Sequence, residues 1–207
     1  MIHLDAVEIG DHVASWAAAG FSVDGSSVDV ASTSIECLDD GRVPSWRLWS
    51  EGSLPDDIDG ISTTVAGEMR DDCGTAHPNR VIGIDHLVLQ SPDLDRTTEA
   101  FAALGVDCRH IREVPGAEPA MQQRFFRFGP VILELVGTAE PSGDGPASIW
   151  GFAFTVDDID AAAAHLGEAC GDPKDAVQPG RRIATVRTRA LGISLPVALM
   201  TEPPPRA

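Results

Sequence analysis

The 207-residue chain carries 32 acidic and 15 basic side chains, a formal charge of −17, with 43% hydrophobic residues, four Cys and no Tyr. That length suits one large domain or two small ones with a real core, and the hydrophobic share excludes disorder. The charge excludes nucleic acid or an anionic membrane as partner, because both are bound by Lys and Arg.

No run of 18 apolar residues is present, and the start, MIHLDAVEIG, has no basic region leading into an apolar run. A cytoplasmic protein with neither membrane span nor secretory signal is therefore expected. Cys37, Cys73, Cys108 and Cys170 lie 36, 35 and 62 residues apart with no CxxC, a spacing that reads as reduced thiols rather than a zinc site.

In chain order, IHLDAVEIG reads as a strand and DHVASWAAAGF as a helix buried through Val13, Trp16 and Ala17. SVDVAS with TSIECL reads as a hairpin, VPSWRLWS as a further strand and EGSLPDDIDG as a polar loop. Residues 1–70 thus form one divergent module, and the turn formers of DDCGTAHPNR place a linker at 71–81. HLVLQSPDLDRTTEAFAALG then matches GFAFTVDDIDAAAAHLGEAC at a fixed offset of 151 − 86 = 65 residues. Each copy is a strand, an acidic turn suited to a helix N-terminus, and a helix, with Leu94, Phe101 and Leu104 on one apolar stripe and Ile159, Ala162, Ala163 and Leu166 on the other. Short apolar strands follow in both, so βαβββ modules are predicted at 82–137 and 148–201, joined by a linker at 138–147 and followed by an extended tail at 202–207. The fold class is α+β.

The paired modules, with GIDHLVLQSPDLDRT heading one and FFRFGPVILELVG, WGFAFTV and DAVQPGRRIATVR behind it, resemble the vicinal oxygen chelate superfamily. That group contains glyoxalase I, extradiol dioxygenases, methylmalonyl-CoA epimerase, fosfomycin-resistance enzymes and bleomycin-binding proteins. The resemblance implies cupped sheets around a cavity and a divalent metal (Zn, Ni, Mn or Fe) on the first and last strands of each module. Carried over by position, His86 and Glu134 are the metal ligands and catalytic residues of the middle module. In the last module Gly151 stands at the His position and Val197 or Leu199 at the Glu position, which leaves two protein ligands. A homodimer that pairs two middle modules would raise them to two His and two Glu.

Period-2 alternation places the same residues independently: His86, Val88 and Gln90 share one strand face, and Ile132, Glu134 and Val136 another. A Glu inside so apolar a strand must meet a partner, a cation or water. A two-residue turn at Gly129-Pro130 would put Phe128 opposite Val131, Arg127 opposite Ile132 and Phe125 opposite Glu134, so that Gln123, Phe125, Arg127 and Glu134 share the cavity face. Substrate contacts are expected from Gln90, Phe125, Arg127, Trp150 and Arg182, where one of the adjacent Arg181 and Arg182 must point inward to hold an anionic group. No P-loop, dinucleotide fingerprint or GxSxG elbow is present, so no nucleotide cofactor is implied.

Three readings follow. The first is a lyase or isomerase, or a dioxygenase of this type, in which His86 and Glu134 bind a metal or relay a proton. The second is a binding or sequestration protein of the bleomycin-resistance kind, and the third is an interaction or dimerisation module with no small ligand; independently of these, His86 and Glu134 also read as a buried hydrogen-bonded pair kept where a metal site has been lost.

Overall fold

The computed structural model describes residues 1–204, so of the expected tail, residues 205–207 lie outside the described residues. Its elements are β1 (Ile2–Ile9), α1 (Val13–Ala18), β2 (Ser27–Val30), β3 (Thr33–Cys37), β4 (Ser45–Ser50), β5 (Asp57–Ile58), β6 (Ile61–Val65), β7 (Val81–Gln90), α2 (Leu94–Ala102), β8 (His110–Val114), β9 (Met121–Phe128), β10 (Val131–Thr138), β11 (Ser148–Val156), α3 (Ile159–Leu166), β12 (Lys174–Asp175), β13 (Arg182–Val186), α4 (Thr188–Leu191) and β14 (Val197–Thr201). They form two mixed sheets. The expected α+β class with repeated strand-helix-strand modules is what the chain adopts. The chain divides into two compact units, and three of the five divisions fall inside β1, β7 and β11.

One unit comprises Met1–Val7, Pro44–Met69 and His86–Trp150. In it β10 runs parallel to the end of β7 and antiparallel to β9, which is antiparallel to β8. Alternation gives this ladder two unlike faces. Leu87, Leu89, Leu133, Leu135, Phe126 and Phe128 are buried on one. Helix α2 belongs to that side: the Asp93 side chain accepts from Arg96 N at 3.0 Å and caps it, and Leu94, Thr97 and Phe101 are its buried residues.

Phe101 meets Phe126 and Phe128 at 4.9 and 5.7 Å between ring centroids, and Trp46 of β4 meets Phe128 at 5.5 Å. Each of these rings contributes about 1.5–3 kcal/mol by leaving water. Trp46 Nε1 donates to Thr63 Oγ1 at 2.7 Å, across the parallel pairing of β4 with β6. The strands β5 and β6 sit partly within and just after the stretch expected to be a polar loop. The turn between them, with Asp59 and Gly60 both at positive φ, brings the Asp59 carboxylate to Arg96 Nε at 2.6 Å.

The other unit comprises Glu8–Val43, Arg70–Asp85 and Gly151–Ala207. Here β11 is parallel to β14, β14 antiparallel to β13, and β13 antiparallel to β12. Asp158 caps α3 as Asp93 caps α2, at the expected offset of 65. Trp16 is buried against Phe21, Phe152 and Phe154, and its indole N–H donates to Asp11 at 3.1 Å. Of the three residues expected to bury α1, only Trp16 does so fully; Ala17 is exposed.

Residues 71–80 carry no regular structure, yet their end is pinned. The His77 Nδ1 accepts from Ser22 N at 3.0 Å, its Nε2 meets Asp29 O at 3.1 Å, and Asn79 donates to Ala19 O at 2.8 Å. Burial holds the His77 imidazole below its usual range.

Candidate functional site

The less buried face of the β7–β10–β9–β8 ladder gathers the chain's polar chemistry into three rows. Cross-strand pairing aligns Val88, Glu134, Phe125 and His110 in one row; Gln90, Val136, Gln123 and Arg112 in the next; and His86, Ile132 and Arg127 in the third. The expected register around Gly129-Pro130 is therefore the one observed, with Gly129 at φ +61° in the left-handed region and an added Cβ meeting the His3 ring. His86 and Glu134, on neighbouring strands, approach to 3.2 Å between Nε2 and Oε2. Their side chains are only 13% and 10% exposed, so the contact is made largely out of water.

The second Glu134 oxygen accepts a short hydrogen bond from the Gln123 amide, and the Gln123 oxygen accepts from Arg112 Nε at 2.6 Å. Arg112 has donors only, so its contact fixes which end of the Gln123 amide is oxygen and turns the NH2 toward Glu134. A directed chain results, Arg112 to Gln123 to Glu134, with His86 on the far carboxylate oxygen. The Arg112 guanidinium lies 5.8 Å from the Phe125 ring centroid, and His110 stacks on the same ring at 5.9 Å and 27°.

Sequence reasoning placed His86, Glu134, Phe125 and Gln123 on this face but did not assign Arg112 or His110. Extending the alternation across one more strand would have found them.

The other expected residues have different settings. Gln90 is exposed at the end of β7. Arg127 shares the face, is exposed, donates to Pro130 O at 3.1 Å and lines a cleft of about 360 Å³ with Arg109 and Asp107. Trp150 is 48% exposed at the end of its unit. Arg182 is in the other unit, where both its Nη groups hold Asp160 on α3 at 2.6 and 2.9 Å and keep that carboxyl below its usual range. Of the arginine pair it is Arg181 that is buried. It pairs with Asp85 at 2.5 Å and donates to Thr201 O, so its guanidinium serves the fold.

The donor set falls short of what a divalent metal needs. Among the described residues no group of three or more His, Cys, Asp or Glu side chains could hold one. His86 and Glu134 supply two ligands where stable sites use three or four, and Gln123 turns its NH2, a non-ligand, toward them. The matching positions of the last module add nothing. A Cβ on Gly151 would lie 2.7 Å from Pro196 O. By the offset of 65, the partner of Val88 that is Glu134 corresponds to the partner of Ala153, which is Ala198. The expectation of Val197 or Leu199 at that position is corrected: both are buried core, 3% and 1% exposed, on the opposite face from Ala198. The residues present do not fit a metal.

Residues 85–184 match the model of the Glyoxalase/Bleomycin resistance protein/Dioxygenase superfamily. No curated protein sequence matches the chain significantly. Among solved structures, a mutant of 4-hydroxymandelate synthase from Streptomyces coelicolor superposes at a TM-score of 0.63 with 13% identity, covering 99% of this chain and 94% of that one. A methylmalonyl-CoA epimerase matches at a TM-score of 0.48 with 22% identity over 59% of this chain and 97% of that one. The methylmalonyl-CoA epimerase from Mycobacterium tuberculosis matches at 0.46 with 18% identity over 60% and 91%. The first of these likenesses shows the fold along nearly the whole chain, and the expected resemblance holds over residues 85–184, which match the model of that superfamily.

Proposed function

We propose that the protein is a small-molecule lyase or isomerase whose His86–Glu134 pair moves a proton at a carbon next to a carbonyl. The observation that carries this reading is the 3.2 Å contact between the two side chains, nearly out of water on a strand face that otherwise alternates with apolar core. A carboxylate and an imidazole so placed share one proton and exchange roles. Glu134 takes the proton from the carbon acid, and His86 holds a proton at the oxygen where negative charge develops. Return of the proton to the opposite face of that carbon, or to a neighbouring carbon, completes an isomerisation, whereas expulsion of a leaving group from the carbon next to the carbanion completes a lyase reaction. Gln123 keeps the Glu134 carboxylate from rotating away, and positioned acid–base groups of this kind contribute roughly 10²–10⁴-fold in rate.

The test is exchange of substrate protons with solvent. Full-length protein in D2O is incubated with 2-oxobutyrate and other small 2-oxo acids, and deuterium entering at the carbon beside the carbonyl is followed by NMR. The wild type accelerates exchange, and Glu134→Gln and His86→Ala each lower it about 100-fold or more. The binding-protein reading is favoured by one observation, the aromatic stack of Phe125 and His110; saturable binding without exchange would select it. The homodimer rests on the family resemblance, and sedimentation of the purified chain tests it.

A further inference from the structure

We infer that Arg112 anchors the ligand through a carboxylate, so that the site takes a small organic acid with a planar or apolar body. This rests on the proposed reading of the same face and names its substrate class. Among the described residues eight arginines, Arg42, Arg47, Arg70, Arg80, Arg96, Arg124, Arg181 and Arg182, are ion-paired to carboxylates. Arg112 is half-buried, and among the described residues no carboxylate pairs with it, in a chain with 32 acids. It spends one N–H on Gln123 Oε1, leaving the two Nη groups that form the planar fork matched to a carboxylate.

Two contacts aim that fork. The Phe125 ring, 5.8 Å away, supports the guanidinium face, and the Gln123 bond fixes the Nε edge. His110 against Phe125 adds flat aromatic surface on which a ligand body can rest.

Spacing then ties the anchor to the chemistry. One carboxamide, that of Gln123, separates Arg112 from Glu134, touching the first through its oxygen and the second through its nitrogen. A ligand that places its carboxylate on the Arg112 fork therefore brings its neighbouring carbons to Glu134 and His86. This is the geometry of an oxo acid, in which carboxylate, carbonyl and acidic C–H lie within a few bonds. Charge agrees, since the positive Arg112 and negative Glu134 cancel along the chain and a monoanion is not repelled by the site.

The experiment is ligand-observed NMR titration of the full-length protein with benzoate and with its neutral isostere benzamide. Wild type is expected to bind benzoate saturably and at least 10-fold more tightly than benzamide. Arg112→Met should abolish that preference, Arg112→Lys, which keeps charge but loses the fork, should retain a part of it, and Arg189→Met, which removes an exposed arginine elsewhere, should leave it intact. Should Arg112→Met fail to fold, the Lys variant still decides, because an unchanged preference there removes the fork from the explanation. Equal affinity for benzoate and benzamide, no saturable benzoate binding, or benzoate binding unaltered in Arg112→Met would each overturn the inference. Glu134→Gln separates the two proposals: the anchor predicts that benzoate binding survives in it while proton exchange is lost.

Discussion

Replacing Glu134 with leucine should destabilise the protein far more than replacing it with glutamine. In the native chain the carboxylate accepts from the Gln123 amide with one oxygen and meets His86 Nε2 with the other, at a position only 7% exposed. Leucine fits the apolar strand but takes this partner from both of those polar groups, and each buried group that loses a hydrogen-bond partner costs about 1–3 kcal/mol. His86 is 13% exposed and Gln123 half-buried, so the lower end applies to each, for a total of about 2–4 kcal/mol. In a chain of this length 1 kcal/mol corresponds to roughly 2–4 °C in Tm, so Glu134→Leu should melt about 4–16 °C below wild type. Glutamine keeps an acceptor for Gln123 and a polar atom for His86, and its loss should stay near 1 kcal/mol, or about 2–4 °C. Thermal unfolding followed by circular dichroism at pH 7 reads both. A leucine variant that melts with wild type or above it would mean that the pair is not the buried, mutually satisfied contact described, and the reasoning from it would fail.

Three other perturbations probe the frame around the site. Gly151→Ala should lower stability by about 1–3 kcal/mol, because its Cβ would press on the Pro196 carbonyl, and a variant as stable as wild type would show that the position can accept a side chain after all. Burial, with the nearby charge of Asp11 second, pushes the Cys37 thiol up to about 12, and burial also raises Cys170, whereas Cys73 is exposed. A thiol reagent at pH 8 should therefore show a fast phase that disappears in Cys73→Ser, and a native Cys37 reacting in that phase would contradict the burial. The His77 imidazole is held below its usual 6.5 by burial, so the unfolded chain binds the proton more readily. Its contribution to stability is complete above pH 6.5 and is lost as pH falls below that value toward the lowered folded pKa. Urea midpoints between pH 7 and 5.5 should fall more steeply in wild type than in His77→Gln, and parallel slopes would refute the assignment.

How far the sequence spoke depended on what fixed each strand's register. The two-residue turn at Gly129-Pro130 leaves no freedom in pairing, so the facing of Phe125 and Glu134 could be counted residue by residue. The six residues 115–120 that join β8 to β9 impose no such count, and Arg112 and His110 stayed unassigned although they lie in the rows of Gln123 and Phe125. Parallel pairing is harder still, because no turn links the strands: the partner of Ala153 on β14 is Ala198, one residue from both alternatives the sequence suggested. Alternation required one of Arg181 and Arg182 to point inward but could not choose between them, and the choice was made by Asp85 and Thr201 O, which hold Arg181. The starts of α2 and α3 were legible, since Asp93 and Asp158 act through their own neighbouring backbone N–H groups, whereas α4, whose start at Arg187 has no side-chain cap, was not expected.

The most direct measurement of the central claim is solvent-deuterium exchange into 2-oxobutyrate by the full-length protein, run with and without EDTA and repeated with Glu134→Gln. A pair that moves protons without a metal predicts accelerated exchange that EDTA leaves unchanged and Glu134→Gln abolishes. Exchange that EDTA removes, or that persists undiminished without the Glu134 carboxylate, would contradict it.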